Sequence, residues 1–241
     1  MISPTGIKAI LFDLDGTLRH HLPTGREVFT KYAISLGLPI SEEDDHRAAR
    51  WEHYYFANSP EIRSDKDKFL GEKFENEGFW VNFARRRLVA LGCSPDRAVE
   101  LAPQFSAHMQ AAYQPQVHIP AEAPAILTGL KEVGYVLGMV SNRDTSFDDQ
   151  LEEMGLRACF HFTLAAGEIN SFKPERAIFE EALRRAGSLA PKTMYVGDNY
   201  FADVIGSRRA GLRPVLYDPQ RVFPDADCEV IHSFRQLPAL L

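Results

Sequence analysis

The sequence predicts an α/β fold, a doubly wound parallel sheet interrupted after its first strand by an inserted helical bundle. Three observations lead to it. Ile7-Lys8-Ala9-Ile10-Leu11-Phe12 is a short apolar run ending directly in Asp13-Leu14-Asp15-Gly16-Thr17. Such a run before a polar turn is expected of a strand buried on both faces of a parallel sheet. From Pro115 onward, short apolar runs alternate with helix-periodic stretches, the rhythm of βα units. Between them, residues 20–115 carry helical spacing with no intervening strand, which predicts a small bundle. The expected division is therefore a core domain of residues 1–19 and 116–241, and a cap domain of residues 20–115.

Within the bundle, Val28, Tyr32 and Leu36 recur at helical spacing before Gly37. Ser41, followed by acidic residues, starts a second helix through Trp51 and Tyr55. A long segment from about Asp65 to Leu91 carries Phe69, Phe79, Phe83 and Leu88 and stops at Gly92. Ser94-Pro95-Asp96 offers an N-cap with proline at the first helical position, opening a helix towards Tyr113. In the second core segment, a helix around Ala121–Val133 leads to the strand Tyr135–Val140. A helix near Ser146–Met154 precedes the apolar stretch Phe160–Ala165, and Pro174 opens a helix to about Ala186. Thr193–Val196 is a further strand, followed by a helix to Ala210, and Arg213–Tyr217 and Glu229–Ile231 complete the sheet.

Composition narrows the function. The chain has 241 residues, 45% hydrophobic and 25% charged, an ordinary globular mixture. Its net charge of -6 supplies no basic face for nucleic acid, yet a few local cations and a metal suffice to receive a small anion. Cys93, Cys159 and Cys228 are isolated and odd in number, against a disulfide framework or zinc site and for a reducing compartment. Asp13 and Asp15 arrive before a signal-peptide core develops, and no apolar run reaches the roughly 18 residues of a membrane span. A cytoplasmic protein, monomer or homodimer, is expected.

Three polar clusters follow predicted strands: Asp13-Leu14-Asp15-Gly16-Thr17, Ser141-Asn142, and Gly197-Asp198 with Asp203 beyond it. Ligands in open α/β sheets bind beyond the carboxyl ends of the strands, so these clusters should converge. Lys173, before Pro174, is the fourth element. Taken singly, each has a plain reading: a turn at Asp15-Gly16, a helix cap at Asp198-Asn199, a strand end at Ser141-Asn142, a solvated lysine. Their order is what carries information.

In that order the four elements resemble the motifs of the haloacid dehalogenase-like (HAD) hydrolase superfamily. The resemblance runs from residue 7 to about 217, and the inserted bundle is similar to the family's C1 cap. It implies a magnesium-dependent phosphatase acting on a small soluble phosphate ester, without nucleic-acid or membrane partners. It assigns Asp13 as the nucleophile that forms an aspartyl-phosphate, and Asp15 as the acid for the leaving alcohol and the base for water. It implies magnesium held by Asp13, the main-chain oxygen of Asp15 and Asp198, with Asp203 a supporting or occasional ligand. Ser141, Asn142 and Lys173 would hold the phosphoryl oxygens. The stretch Gly197–Asp203 leading into Arg208-Arg209-Ala210-Gly211 resembles most the phosphoglycolate phosphatase and nucleotidase branch.

Related chemistries stay open at this level. A dehalogenase also attacks through aspartate but typically lacks the second acid, here Asp15. A phosphonatase needs a cap lysine, for which Lys66, Lys68 and Lys73 are the candidates. A phosphosugar mutase shares all four motifs, and a non-catalytic phosphate-binding module is the alternative from another class. Trp51, Tyr54, Tyr55, Phe79, Trp80 and Phe83 read as bundle core before pocket lining. His20 and His21 lie near the expected cap hinge, and Arg143 is placed either to meet an anionic substrate or to pair with an acid.

Overall fold

A computed structural model describes residues 6–69 and 77–241. Its centre is a parallel sheet built from β1 (Ala9–Phe12), β4 (Val136–Ser141), β5 (Phe162–Ala165), β6 (Thr193–Gly197), β7 (Arg213–Tyr217) and β8 (Glu229–Ile231). The spatial order is β5-β4-β1-β6-β7-β8, and β1 hydrogen-bonds in parallel to both β4 and β6. All four residues of β1 are buried because alternate side chains enter different cores. Ile10 and Phe12 pack with Leu127, Met139, Leu151 and Val196 on one face. Ala9 and Leu11 pack with Leu164, Ile178, Phe179 and Tyr195 on the other. That two-sided burial is why the strand reads as a continuous apolar run.

The helices are α6 (Ala123–Glu132), α7 (Asp148–Glu153) and α8 (Arg176–Ala186). A π-helical turn, Tyr200–Ile205, follows β6 and runs into the short α9 (Gly206–Arg209). Asn199 caps that turn, its side-chain oxygen accepting from the main-chain N–H groups of Phe201 and Ala202. The irregular turn has a use, since Asp203 lies within it.

The chain divides into two compact units, one made of the segments up to His20 and from His118, the other spanning His21–Val117. The second unit contains α1 (Gly25–Ser35), α2 (Glu42–Phe56), α3 (Pro60–Phe69), α4 (Glu77–Ala90) and α5 (Pro95–Ala112). Ser41 and Ser94 act as the N-caps expected of them, each accepting from the third helical residue's N–H, Asp44 and Arg97. Each such cap is worth about 1 kcal/mol. Phe29, Ala33, Leu88, Leu101 and Phe105 form one core of this unit, and Tyr55, Ile62, Phe79 and Phe83 a second.

The expected aromatic core is thus partly realised: Tyr54 and Trp80 are exposed, and Trp51 packs at the edge of the second cluster. The segment beginning near Asp65 starts earlier, because the Ser59 hydroxyl accepts the Ile62 N–H at 3.1 Å and opens α3 at Pro60. Lys73 falls outside the described residues. Two short strands, β2 (His20–Leu22) and β3 (Gln116–His118), pair as a ribbon. Sequence reading finds neither, since three-residue strands with little burial carry no period. The cysteines are free thiols, and among the described residues no helix is long and apolar enough to cross a membrane.

Candidate active site

β1, β4 and β6 lie side by side, so the residues that leave their carboxyl ends meet. Asp13 continues β1 and is anchored by its N–H donating to Val196 O at 2.9 Å. Ser141 ends β4 and is buried, and Asp198 follows β6. Lys173, in the loop after β5, brings its ammonium into the group: Nζ lies 2.5 Å from Asp13 Oδ1 and 2.7 Å from Asp203 Oδ1. Asp13, Lys173 and Asp203 are all buried.

Each carboxylate is held by a particular device. Asp203 Oδ2 accepts the Asn199 N–H at 2.9 Å, so both its oxygens are engaged. The Thr17 hydroxyl donates to Asp198 Oδ1 at 3.0 Å and accepts the Asp198 N–H at 3.0 Å. Gly16 allows that approach: with φ at +94°, a Cβ there would lie 2.3 Å from Asp198 Oδ2. The Asn142 amide is spent on Lys173, its Nδ2 donating to Lys173 O at 2.9 Å and its Oδ1 accepting the Lys173 N–H at 2.6 Å. In this arrangement Asn142 fixes the lysine's main chain.

Charge is unbalanced here. Asp13, Asp198 and Asp203 each present an oxygen, all within 4.8 Å of one another, and Lys173 is the one cation bonded into the group among the described residues. Desolvation pushes Asp13 up to about 7, with Asp203 and Asp15 adding to the rise and Lys173 opposing it. Asp198 is likewise raised by loss of water and by the Asp13 and Asp203 charges. Burial alone would lower Lys173; Asp13 and Asp203 reverse that and hold it well above its ordinary value. Three carboxylates against one ammonium form a donor set that suits a hard divalent cation bound through oxygen. Asp13 and Asp198 are the ones with oxygens to give, since Asp203 is committed to Lys173 and Asn199.

A pH prediction follows from the Asp13 shift. A carboxyl raised from 3.8 to about 7 on folding binds protons in the folded state over an interval where the unfolded chain has lost them. Its stabilisation is full below 3.8 and disappears as pH rises through about 7. Metal-free protein should therefore lose stability relative to Asp13→Asn between pH 4 and about 7. Melting temperatures of the two proteins, measured in chelator across that range, check it; a constant difference would contradict it.

Asp15 is differently placed. Its side chain is 44% exposed and grips two arginines. Arg143 donates to it through Nε at 2.9 Å and through a terminal nitrogen at 3.0 Å, and Arg19 donates from another side at 2.7 Å. Burial would raise this carboxyl, but the Arg143 and Arg19 hydrogen bonds and charges outweigh it and hold it below the usual range. In the structure Arg143 pairs with an acid, Asp15. Sequence reading missed Arg19 as a partner and Thr17 as a strut. Thr17 stands inside the first motif, and its position there was the available signal. His20 Nε2 lies 3.0 Å from Thr17 O, and its ring meets Tyr217 edge-on.

The chain is similar to known proteins over most of its length. The family model for haloacid dehalogenase-like hydrolases matches residues 7–211. The chain is 27% identical over 227 residues to glyceraldehyde 3-phosphate phosphatase of Methanothermobacter thermautotrophicus, covering 92% of this chain and 90% of that protein. It is also 27% identical to ribulose-1,5-bisphosphate 5-phosphatase of Halopiger xanaduensis, covering 88% and 84%. Among solved structures, a 2-haloacid dehalogenase from Pseudomonas syringae superposes with a TM-score of 0.54 at 27% identity, covering 97% of each chain.

Proposed function

Because this chain belongs to the haloacid dehalogenase-like hydrolases, we propose that it is a magnesium-dependent phosphatase that cleaves small phosphate monoesters through an aspartyl-phosphate on Asp13. The observation that carries the reading is the group of buried Asp13 and Asp203 and half-buried Asp198 gathered at Lys173, with Asp15 beside it. Magnesium held by Asp13, Asp198 and the main-chain oxygen of Asp15 would offset the negative charge of the carboxylates and of the bound phosphoryl group.

The chain's own residues carry the remaining chemistry. Ser141 and the Lys173 ammonium hold phosphoryl oxygens, while Asn142 keeps the lysine in place. An Asp13 oxygen attacks phosphorus as the bond to the leaving oxygen breaks. Asp15, which Arg143 and Arg19 hold as a carboxylate in the free protein, takes up a proton from solvent as the ester binds and passes it to that oxygen. Asp15, now a carboxylate, takes a proton from water, whose oxygen attacks phosphorus. The bond to Asp13 breaks, releasing inorganic phosphate and restoring both aspartates.

Attack on phosphorus rather than on a carbon–halogen carbon is favoured by Asp15, because a departing halide needs no proton. Free thiols at Cys93, Cys159 and Cys228 are in keeping with a reducing, cytoplasmic compartment. Phosphate and halide release, from a panel of small esters and a 2-chloro acid, with magnesium or with chelator, test the reading. Magnesium-dependent phosphate release is expected. Halide release without phosphate release, or no release from folded, metal-loaded protein, overturns it.

A further inference from the structure

We propose that Arg19 and Arg143 form a subsite for an anionic substituent on the leaving group, so that preferred esters release an alcohol bearing a carboxylate or a second phosphate. The inference rests on the phosphatase reading, in which Asp15 faces the leaving oxygen. Whatever touches the Asp15 carboxylate then lies on the leaving-group side.

Two guanidiniums there share a single carboxylate, which leaves one positive charge over. Among the described residues their ion pairs go to Asp15 alone and not to Asp13, Asp198 or Asp203, so they stand apart from the phosphoryl-binding group. Both are held in place. Arg143 also donates to Gln150, and its guanidinium lies 5.6 Å from the Phe147 ring centre. The Arg19 main chain is fixed in the turn after β1, its N–H donating to Leu14 O and its O accepting the Gly16 N–H, both at 2.8 Å. The Nε and second terminal nitrogen of Arg19 have no hydrogen-bond partner among the described residues. Arginine presents five N–H donors in a fixed fork, so these two remain available as a pair for carboxylate or phosphate oxygens. A site prepared in this way loses little entropy on binding. A neutral leaving group would leave the surplus charge unused.

Matched esters test this: 2-phosphoglycolate against 2-hydroxyethyl phosphate, and 3-phosphoglycerate against glycerol 1-phosphate. The wild-type protein should prefer the anionic member of each pair in kcat/KM by about ten- to a hundredfold, the range for hydrogen bonds to charged groups. Arg19→Gln and Arg143→Gln should each bring that ratio towards one, by lowering kcat/KM mainly for the anionic ester. A wild-type ratio near one overturns the subsite while leaving the phosphatase reading intact. So does an equal fall for both members in the variants, which would mean the arginines act only by holding Asp15. Failure to release phosphate from any ester overturns both readings together.

Discussion

Asp13→Asn is expected to give a folded protein whose phosphate release falls by about 10⁴-fold or more, the scale of losing a nucleophile from a covalent mechanism. An amide oxygen is uncharged and too weak a nucleophile to displace an alcohol from phosphorus. The fold survives because Asp13 contributes little to the cores: its N–H bond to Val196 is main chain, and Lys173 keeps Asp203 as partner at 2.7 Å. In chelator near neutral pH, the variant is expected to melt at or above the wild-type temperature, since it removes a carboxylate that desolvation and Asp203 both disfavour. In magnesium the order should reverse, because the wild type has the better ligand. Ester hydrolysis and melting curves with and without metal measure both effects. Wild-type turnover by the purified variant would exclude Asp13 as nucleophile.

Lys173→Met is the substitution with the largest expected cost in stability. It leaves Asp13 and Asp203 buried together without their shared cation. Removing one partner of a buried ion pair typically costs about 3–5 kcal/mol. Methionine fills much of the space, so charge dominates the loss. Magnesium should recover part of it, because a dication offsets the same repulsion. Turnover should fall about 10²- to 10³-fold even at saturating metal, the range for losing a donor to transition-state charge. Denaturant unfolding at pH 8, with and without magnesium, reads the stability effect. A change below about 0.5 kcal/mol, the ordinary range of a surface substitution, would mean that Lys173 does not neutralise the group.

The parts of the fold that depend on local pattern were legible. β1 could be read because two-sided burial makes it continuously apolar, and α2 and α5 because Ser41 and Ser94 announce their starts. α3 begins ahead of the expected Asp65, since its opening depends on the Ser59 hydroxyl, a residue that elsewhere reads as loop. β2 and β3 escape sequence reading because three-residue strands with little burial have no alternation to detect. At the site, the first motif pointed to the neighbourhood of Asp13, but not to which side chains hold one another. The Asn142–Lys173 strut joins residues 31 apart in the chain, and the Arg143–Asp15 pair residues 128 apart. Such contacts follow from β1, β4 and β5 lying in sequence across the sheet, which composition and spacing do not encode.

The most direct test of nucleophilic attack by Asp13 is to quench the wild-type protein in acid during turnover of an ester carrying radiolabelled phosphorus, then map the label to a peptide. Label on the Asp13 peptide, released by hydroxylamine and absent from Asp13→Asn, is the expected result. Sustained phosphate release with no label on that peptide, or label on another residue, would show that the phosphoryl group never resides on Asp13.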